Sequence, residues 1–551
     1  MSEPSMVQEN DVSEPPLDRQ LDRRQFLARF AALTTVTSAA TLARPLGARA
    51  STASSANLAP LAGVKAEAKV PSDLTEVTLA QAATLIRAKK IAAIDLVDAY
   101  LARIDAYESI YQAFNTVLAD EARAIARSLD LRGEKPPLFG VPVAVKDNYY
   151  TAGVRTTANS YIFENFVPSF DATGVARLKA AGAIIIGKTQ MGPLATTRAT
   201  TPDGVVTTVN AWTPNTPSVN PGGSSTGSAT AVAGRMAASS VGTQTGGSIT
   251  GPSTAQGLTG LKPTMGRTSI YGIIPLSYTR DHSGPLARDA MDAAIMTQVL
   301  AGPDENDPRT LGLPKVPNLI TAATPVRKKG KTVLRWPTTI GVLPGYTSGT
   351  SATANARRAM LDTFADLGAE IVDVPLPDDW SVLTGGAFNN VRLPERSEPF
   401  LEYLKQDVRL FGVSLSGWIN GLFISGDEFL KGQRAKCLLA RRVFEQIFSV
   451  CDVVVQTDPV PFDIIGFPEI AFPIGFQFNT AAQSDIPIGA ILGGMPYAED
   501  RLLSLVAAYQ DVTDFHLRRP PDPVVASPLL ARTARTRKLR LTMEEVEATS
   551  E

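Results

Sequence analysis

Residues 221 to 261 are dominated by Gly, Ser, Thr and Ala and carry few bulky side chains. No other stretch constrains the fold as strongly, because backbones can approach one another closely only where side chains are this small. Its middle, SATAVAGRMAASSV, reads as a helix of small residues between two loops, PGGSSTGS and GTQTGGSIT, which are expected to return to the same end of a sheet. The flanking chain supplies that sheet. PLFGVPVAVKDNYY alternates Val141, Val143 and Val145 ahead of Lys146, predicting a short strand with the lysine at its end. GVARLKAAGAIIIGKT reads as helix, turn and buried strand. Thr78 and Gln81 form a capping-box pattern ahead of a first helix, and a second is expected over about 94–107. Further on, a helix is expected from about Asp427 to Phe448, with strands at DVVVQT and EIAFPIGF. Helices alternating with strands define an α/β chain.

Composition narrows the chemistry. Among 551 residues, 53 Lys and Arg against 54 Asp and Glu leave a net charge of −1, so no basic face for nucleic acid is expected. There are only two His, His282 and His516, and two Cys, Cys437 and Cys451. They are too few and too scattered for a zinc site, and no metal or other cofactor is implied. Both histidines read as structural, and both cysteines as buried free thiols with a disulfide not required.

Two familiar patterns mislead. Gly182 to Thr189 matches G-x-x-x-x-G-K-[ST], but Ala183 and Ile184 to Ile186 are strand residues, whereas a phosphate cradle needs a loop there. Gly223 to Gly227 matches the nucleophile elbow G-x-S-x-G, with His516 downstream, yet TPNTPSVNPG before it is loop material where an apolar strand is required. A third constellation, Lys146 with Ser224 and Ser248, has chemical logic. A serine hydroxyl needs a base, and a lysine made neutral by burial supplies one where histidine is scarce. Ser224, Ser225 and Ser248 all fit the nucleophile locally. Two glycines directly before Ser248 favour it, since they free the backbone to aim N–H groups at one point.

Taken together, GVPVAVKDN, PGGSSTGSA and GTQTGGSI, followed by GLTGLKPTMGRTS, YGIIPLSYTRDHSGPLARDAMDAA, GFPEIAFPIGF and IPIGAILGG, resemble the amidase signature family over roughly residues 75 to 515. The resemblance implies the amidase signature fold, a mixed central β-sheet covered by helices on both faces. It implies an amidohydrolase that cleaves linear amides through an acyl-enzyme: Lys146 as base, Ser224 as the cis-serine relay after a cis Gly223–Ser224 peptide, and Ser248 as nucleophile. Thr245, Gly246 and Gly247 fall on the oxyanion-hole positions, and Ser225 supports the site. Gln244 and Thr250 stand where many members carry Asp and Arg, and Thr226 replaces a loop glycine.

The ends of the chain complete the reading. DRRQFL, the apolar ARFAALTTVTSAATLA and Ala48-Arg49-Ala50 look like a twin-arginine export signal over residues 1–50, too weakly apolar for a stable membrane span. A linker over 51–73, an amidase domain over 74–520 and a poorly ordered tail over 521–551 are expected. An exported member with a non-Arg residue after GGSI looks most like the peptide amidases. The expected partners are a small-molecule or peptide amide substrate and, for the precursor, the twin-arginine export machinery. The rivals are a catalytically silent binding protein on the same fold, an ester or carbamate hydrolase on the same triad, and a partner-dependent amidotransferase subunit. The segment from about Trp380 to Lys431, with Phe411, Trp418 and Phe423, is expected to line the substrate pocket.

Overall fold

A computed structural model describes residues 69–129, 135–216, 219–385 and 389–524. The expected export signal, most of the linker and the tail beyond 524 lie outside the described residues. Of the tail's start, Asp522 is tied to the body by an ion pair with Arg103 at 2.7 Å.

Among the described residues the frame is one eleven-stranded mixed sheet flanked by helices. In chain order the strands are β1 (Phe114–Val117), β2 (Pro142–Lys146), β3 (Ile184–Thr189), β4 (Ser239–Gln244), β5 (Thr259–Lys262), β6 (His282–Ala287), β7 (Val326–Lys328), β8 (Lys331–Val333), β9 (Thr339–Val342), β10 (Glu370–Asp373), β11 (Val453–Gln456), β12 (Glu469–Asn479) and β13 (Ser484–Gly494). The spatial order is β1-β3-β2-β4-β6-β5-β12-β13-β11-β9-β10, while β7 and β8 form a separate hairpin. β2 runs parallel to both β3 and β4. The three strands are wholly buried, as expected of a parallel sheet covered on both sides.

Local signals explain most of these elements. The Thr78–Gln81 capping box starts the helix Leu79–Arg87. The run of isoleucines forms β3, so the loop that a phosphate would require does not exist. The small-residue tract folds differently from expectation. Its helix covers only Thr226–Ala233, and SSVGTQ is β4. Side chains this small carry no strong period, so the neighbouring β2 and β6 determine that SSVGTQ is extended. The tract does permit close contact: a Cβ on Gly227 would lie 2.3 Å from the Ala113 carbonyl oxygen. Among the described residues no single helix is long and apolar enough to cross a membrane.

Two further sequence expectations change. Cys437 and Cys451 are both free, but only Cys451 is buried, since Cys437 lies on an exposed face of the helix Gly426–Arg442. Phe411 and Trp418 do not line an open pocket. They pack with Phe400 and Leu415 in a closed apolar cluster, while Phe423 is 77% exposed.

Candidate active site

β2 ends on Lys146, whose side chain is fully buried. Its Nζ lies 2.8 Å from Ser224 Oγ and 2.7 Å from Thr243 Oγ1. Thr243 reaches it because β4 is the parallel neighbour of β2, and the Asn148 amide also donates to the same hydroxyl at 3.2 Å. Burial disfavours the ammonium form and pulls the Lys146 pKa down to about 7, although the Asp281 carboxylate acts in the opposite direction.

The two small-residue loops meet beside this lysine. The Gly223–Ser224 peptide is cis, and the Ser224 carbonyl accepts from the Gly192 N–H at 3.1 Å. Ser225 N–H donates to the Ser248 carbonyl at 3.4 Å, linking the loops backbone to backbone. Ser225 Oγ donates to the Thr243 carbonyl at 3.2 Å. Thr226, in place of a loop glycine, donates its hydroxyl to Gly222 O and accepts the Ala199 N–H, each at 2.9 Å. Ser248 is 8% exposed, and Gly246 near it is open to solvent. The elbow alternative fails here: among the described residues no strand leads directly into Ser225, and His516 sits in the short turn Phe515–Leu517. His282, on β6, is buried against the Gln244 carbonyl.

The loop Thr245 to Ser248 is held from beneath. Thr245 Oγ1 donates to Asp281 Oδ1. That carboxylate is buried, with its pKa raised by desolvation, and also accepts the Leu276 and Ser277 N–H groups at 2.7 and 3.1 Å. Gly247 departs from the expected oxyanion donors, because its N–H donates to Asp463 Oδ2 at 2.7 Å. Gly246 and Ser248 N–H have no protein acceptor among the described hydrogen bonds. Gln244 Oε1 accepts the Ile249 and Thr250 N–H groups at 2.8 and 2.9 Å, so a neutral amide caps the helix Thr250–Gln256. Sequence reasoning does not find Thr243, Asp463, Lys262 or Glu469. No local spacing in the sequence points to them, since Asp463 and Glu469 reach position 244 from more than 200 residues away. Among the described residues no group of three or more His, Cys, Asp and Glu is arranged to hold a metal ion.

A buried lysine thus stands at a strand end beside two serine loops on a mixed sheet, and comparison with known proteins names the family. The amidase family profile matches residues 95–406. The chain is 35% identical over 501 residues to the A subunit of the glutamyl-tRNA(Gln) amidotransferase of a Roseiflexus species, covering 82% of this chain and 99% of that one. It superposes on the native peptide amidase of Stenotrophomonas maltophilia with a TM-score of 0.67 at 26% identity, covering 82% and 99% of the two chains. A structure described as revealing the origins of an s-triazine catabolic enzyme gives 0.69 at 27% identity, covering 79% and 98%. The chain belongs to the amidase signature family and is an amidohydrolase acting on C–N bonds.

Proposed function

We propose that Lys146, Ser224 and Ser248 are the catalytic residues and that the protein is an exported amidase acting on peptide or small-molecule carboxamides. The observation that carries this reading is the Lys146 Nζ to Ser224 Oγ contact of 2.8 Å at a lysine whose pKa lies near 7. Neutral Lys146 accepts the Ser224 proton as Ser224 accepts that of Ser248, and Ser248 Oγ attacks the amide carbon. The developing oxyanion meets the Gly246 and Ser248 N–H groups. Ser224 then protonates the departing nitrogen, since an amide anion is a poor leaving group, and Lys146 returns the proton to Ser224. Water cleaves the resulting ester by the same relay.

Treatment with a fluorophosphonate followed by peptide mass spectrometry should place the label on Ser248. A label on Ser225, with Ser248→Ala still reactive, removes this assignment. The likeness to the A subunits of amidotransferases favours a second reading in which the chain needs partners. Ammonia release from C-terminally amidated peptides by the purified protein alone separates the two, and inactivity alone with activity only in a complex sinks the first. Export rests on Arg23 and Arg24 of the DRRQFL segment. Replacing both with Lys should hold the precursor inside the cell, and undiminished activity outside it overturns this part of the reading.

A further inference from the structure

We propose that Asp463 is a positioning residue for the oxyanion loop, held in place by Gln244 and charge-balanced by Lys262. The inference rests on the reading of Ser248 as the nucleophile.

Gly247, at φ +82°, directly precedes Ser248. Its N–H is fixed by Asp463 Oδ2 at 2.7 Å, so the orientation of its peptide plane depends on that carboxylate. Asp463 is itself anchored. Its Oδ1 accepts from Gln244 Nε2 at 2.9 Å and pairs with Lys262 Nζ at 3.3 Å. Lys262, the last residue of β5, stands across from Glu469, the first of β12, and pairs with it at 3.1 Å. The Lys262, Asp463 and Glu469 side chains have no solvent exposure, and Gln244 is as deeply buried.

Gln244 joins this cluster to both ends of the loop. It is the residue from which the loop leaves β4, its Oε1 accepts the Ile249 and Thr250 N–H groups where the loop ends, and its Nε2 donates to Asp463 and, at 3.0 Å, to Glu469. The four-residue turn carrying Gly246 and Ser248 is therefore gripped at its start, middle and end by one buried unit. Fixing Gly247 aims the neighbouring Gly246 and Ser248 N–H groups at a common point. A lone carboxylate this close to a developing oxyanion would oppose it; burial raises the Glu469 pKa well above the usual carboxylate range and favours its neutral form, which leaves Lys262 to offset the Asp463 charge.

The test is steady-state amide hydrolysis by Asp463→Asn and by Asp463→Asn/Gln244→Glu, with folding followed by thermal unfolding. Asp463→Asn turns its amide nitrogen either on Gly247 N–H or on the Gln244 and Lys262 donors, so it misaligns the loop. Its kcat should fall roughly tenfold to a hundredfold, less than the roughly hundredfold to thousandfold of losing an oxyanion donor outright because the donors are misaimed and not removed, with KM within about twofold. The double variant moves the carboxylate to position 244, where it can accept from the 463 amide and from the protonated carboxyl that burial favours at Glu469 while still balancing Lys262, and it should regain most of the lost kcat. A structural role alone would lower the folded fraction and would not be corrected by a charge swap. A folded Asp463→Asn with wild-type kcat overturns the inference, and so does a double variant no faster than the single one. Lys262→Met/Asp463→Asn removes cation and anion together and covers a single variant that does not fold, with the same loss in kcat expected. Fluorophosphonate labelling of the wild type separates the two levels of failure. A label away from Ser248 overturns the reading of the site and this inference with it, while a label on Ser248 beside an unimpaired Asp463→Asn overturns the inference alone.

Discussion

Lys146 and Lys188 occupy the ends of two adjacent parallel strands, one residue apart in register, and both are fully buried. Their surroundings differ. Lys188 donates to Tyr149 O at 2.7 Å and Thr156 Oγ1 at 2.6 Å, and pairs with Asp147 at 3.4 Å. Lys146 meets two hydroxyls and a main-chain carbonyl and, among the described residues, no carboxylate. Burial lowers the pKa of each, to about 8 for Lys188, where Asp147 opposes the shift, and to about 7 for Lys146. Burial alone therefore does not make a base. What distinguishes Lys146 is that its first neighbours are neutral and that one of them is a serine with a second serine loop behind it.

The comparison breaks most visibly under truncation. Lys146→Ala should lower kcat about a thousandfold or more while the unfolding midpoint stays close to wild type, because it removes a buried amine that forms no ion pair with a carboxylate among the described residues. Lys188→Met should show the opposite signature. It leaves Asp147 as a buried carboxylate facing only the Thr157 and Asn115 donors, and costs about 3 kcal/mol of stability in denaturant unfolding, with little change in kcat of the folded fraction. If both variants lose activity and stability together, the two lysines are not functionally distinct.

The same contrast sets a pH expectation. Below about 7 Lys146 carries a proton and cannot accept another, so kcat/KM should rise as pH increases through about 7 and level off above it. Thr243→Asp would give Lys146 the kind of partner that Lys188 already has. A carboxylate within hydrogen-bond reach favours the ammonium form, so the rising limb should move up by about one to two pH units and the rate at pH 7 should fall about tenfold or more. A limb that stays in place would mean that a group other than Lys146 sets it.

The sequence makes one side of this contrast readable and hides the other. Lys146, Ser224 and Ser248 sit in short segments whose glycines and alternating valines have direct meaning for turns and strands, and β2 and the loops fall where those signals place them. The Lys188 segment also reads correctly, because four consecutive apolar residues cannot serve as a phosphate loop. Thr243 is hidden for a different reason: it lies in SSVGTQ, whose extended form depends on pairing with β2 and β6 and not on its own pattern. Asp463 and Glu469 reach the nucleophile loop from more than 200 residues away, through contacts that no local spacing encodes. The aromatics of 411 and 418 mislead because an apolar ring has the same appearance in sequence whether it faces a ligand or, as here, Phe400.

Thr243→Val should have the smallest effect and gives the finest test of what the hydroxyl does. Thr243 Oγ1 lies 2.7 Å from Lys146 Nζ, and the Asn148 amide donates to it at 3.2 Å, so the hydroxyl oxygen acts as an acceptor for the lysine. Accepting a Lys146 N–H leaves the lone pair of the neutral amine to face Ser224. Valine keeps the shape and the strand propensity but removes that acceptor. With the amine free to rotate, kcat should fall severalfold, far less than for Lys146→Ala. The pH limb should also move, and its direction separates two roles. An acceptor stabilises the ammonium form, so losing it should shift the limb downward, opposite to Thr243→Asp. A fall in kcat with an upward or unmoved limb would mean that Thr243 serves the packing of β4 against β2 and does not orient the base.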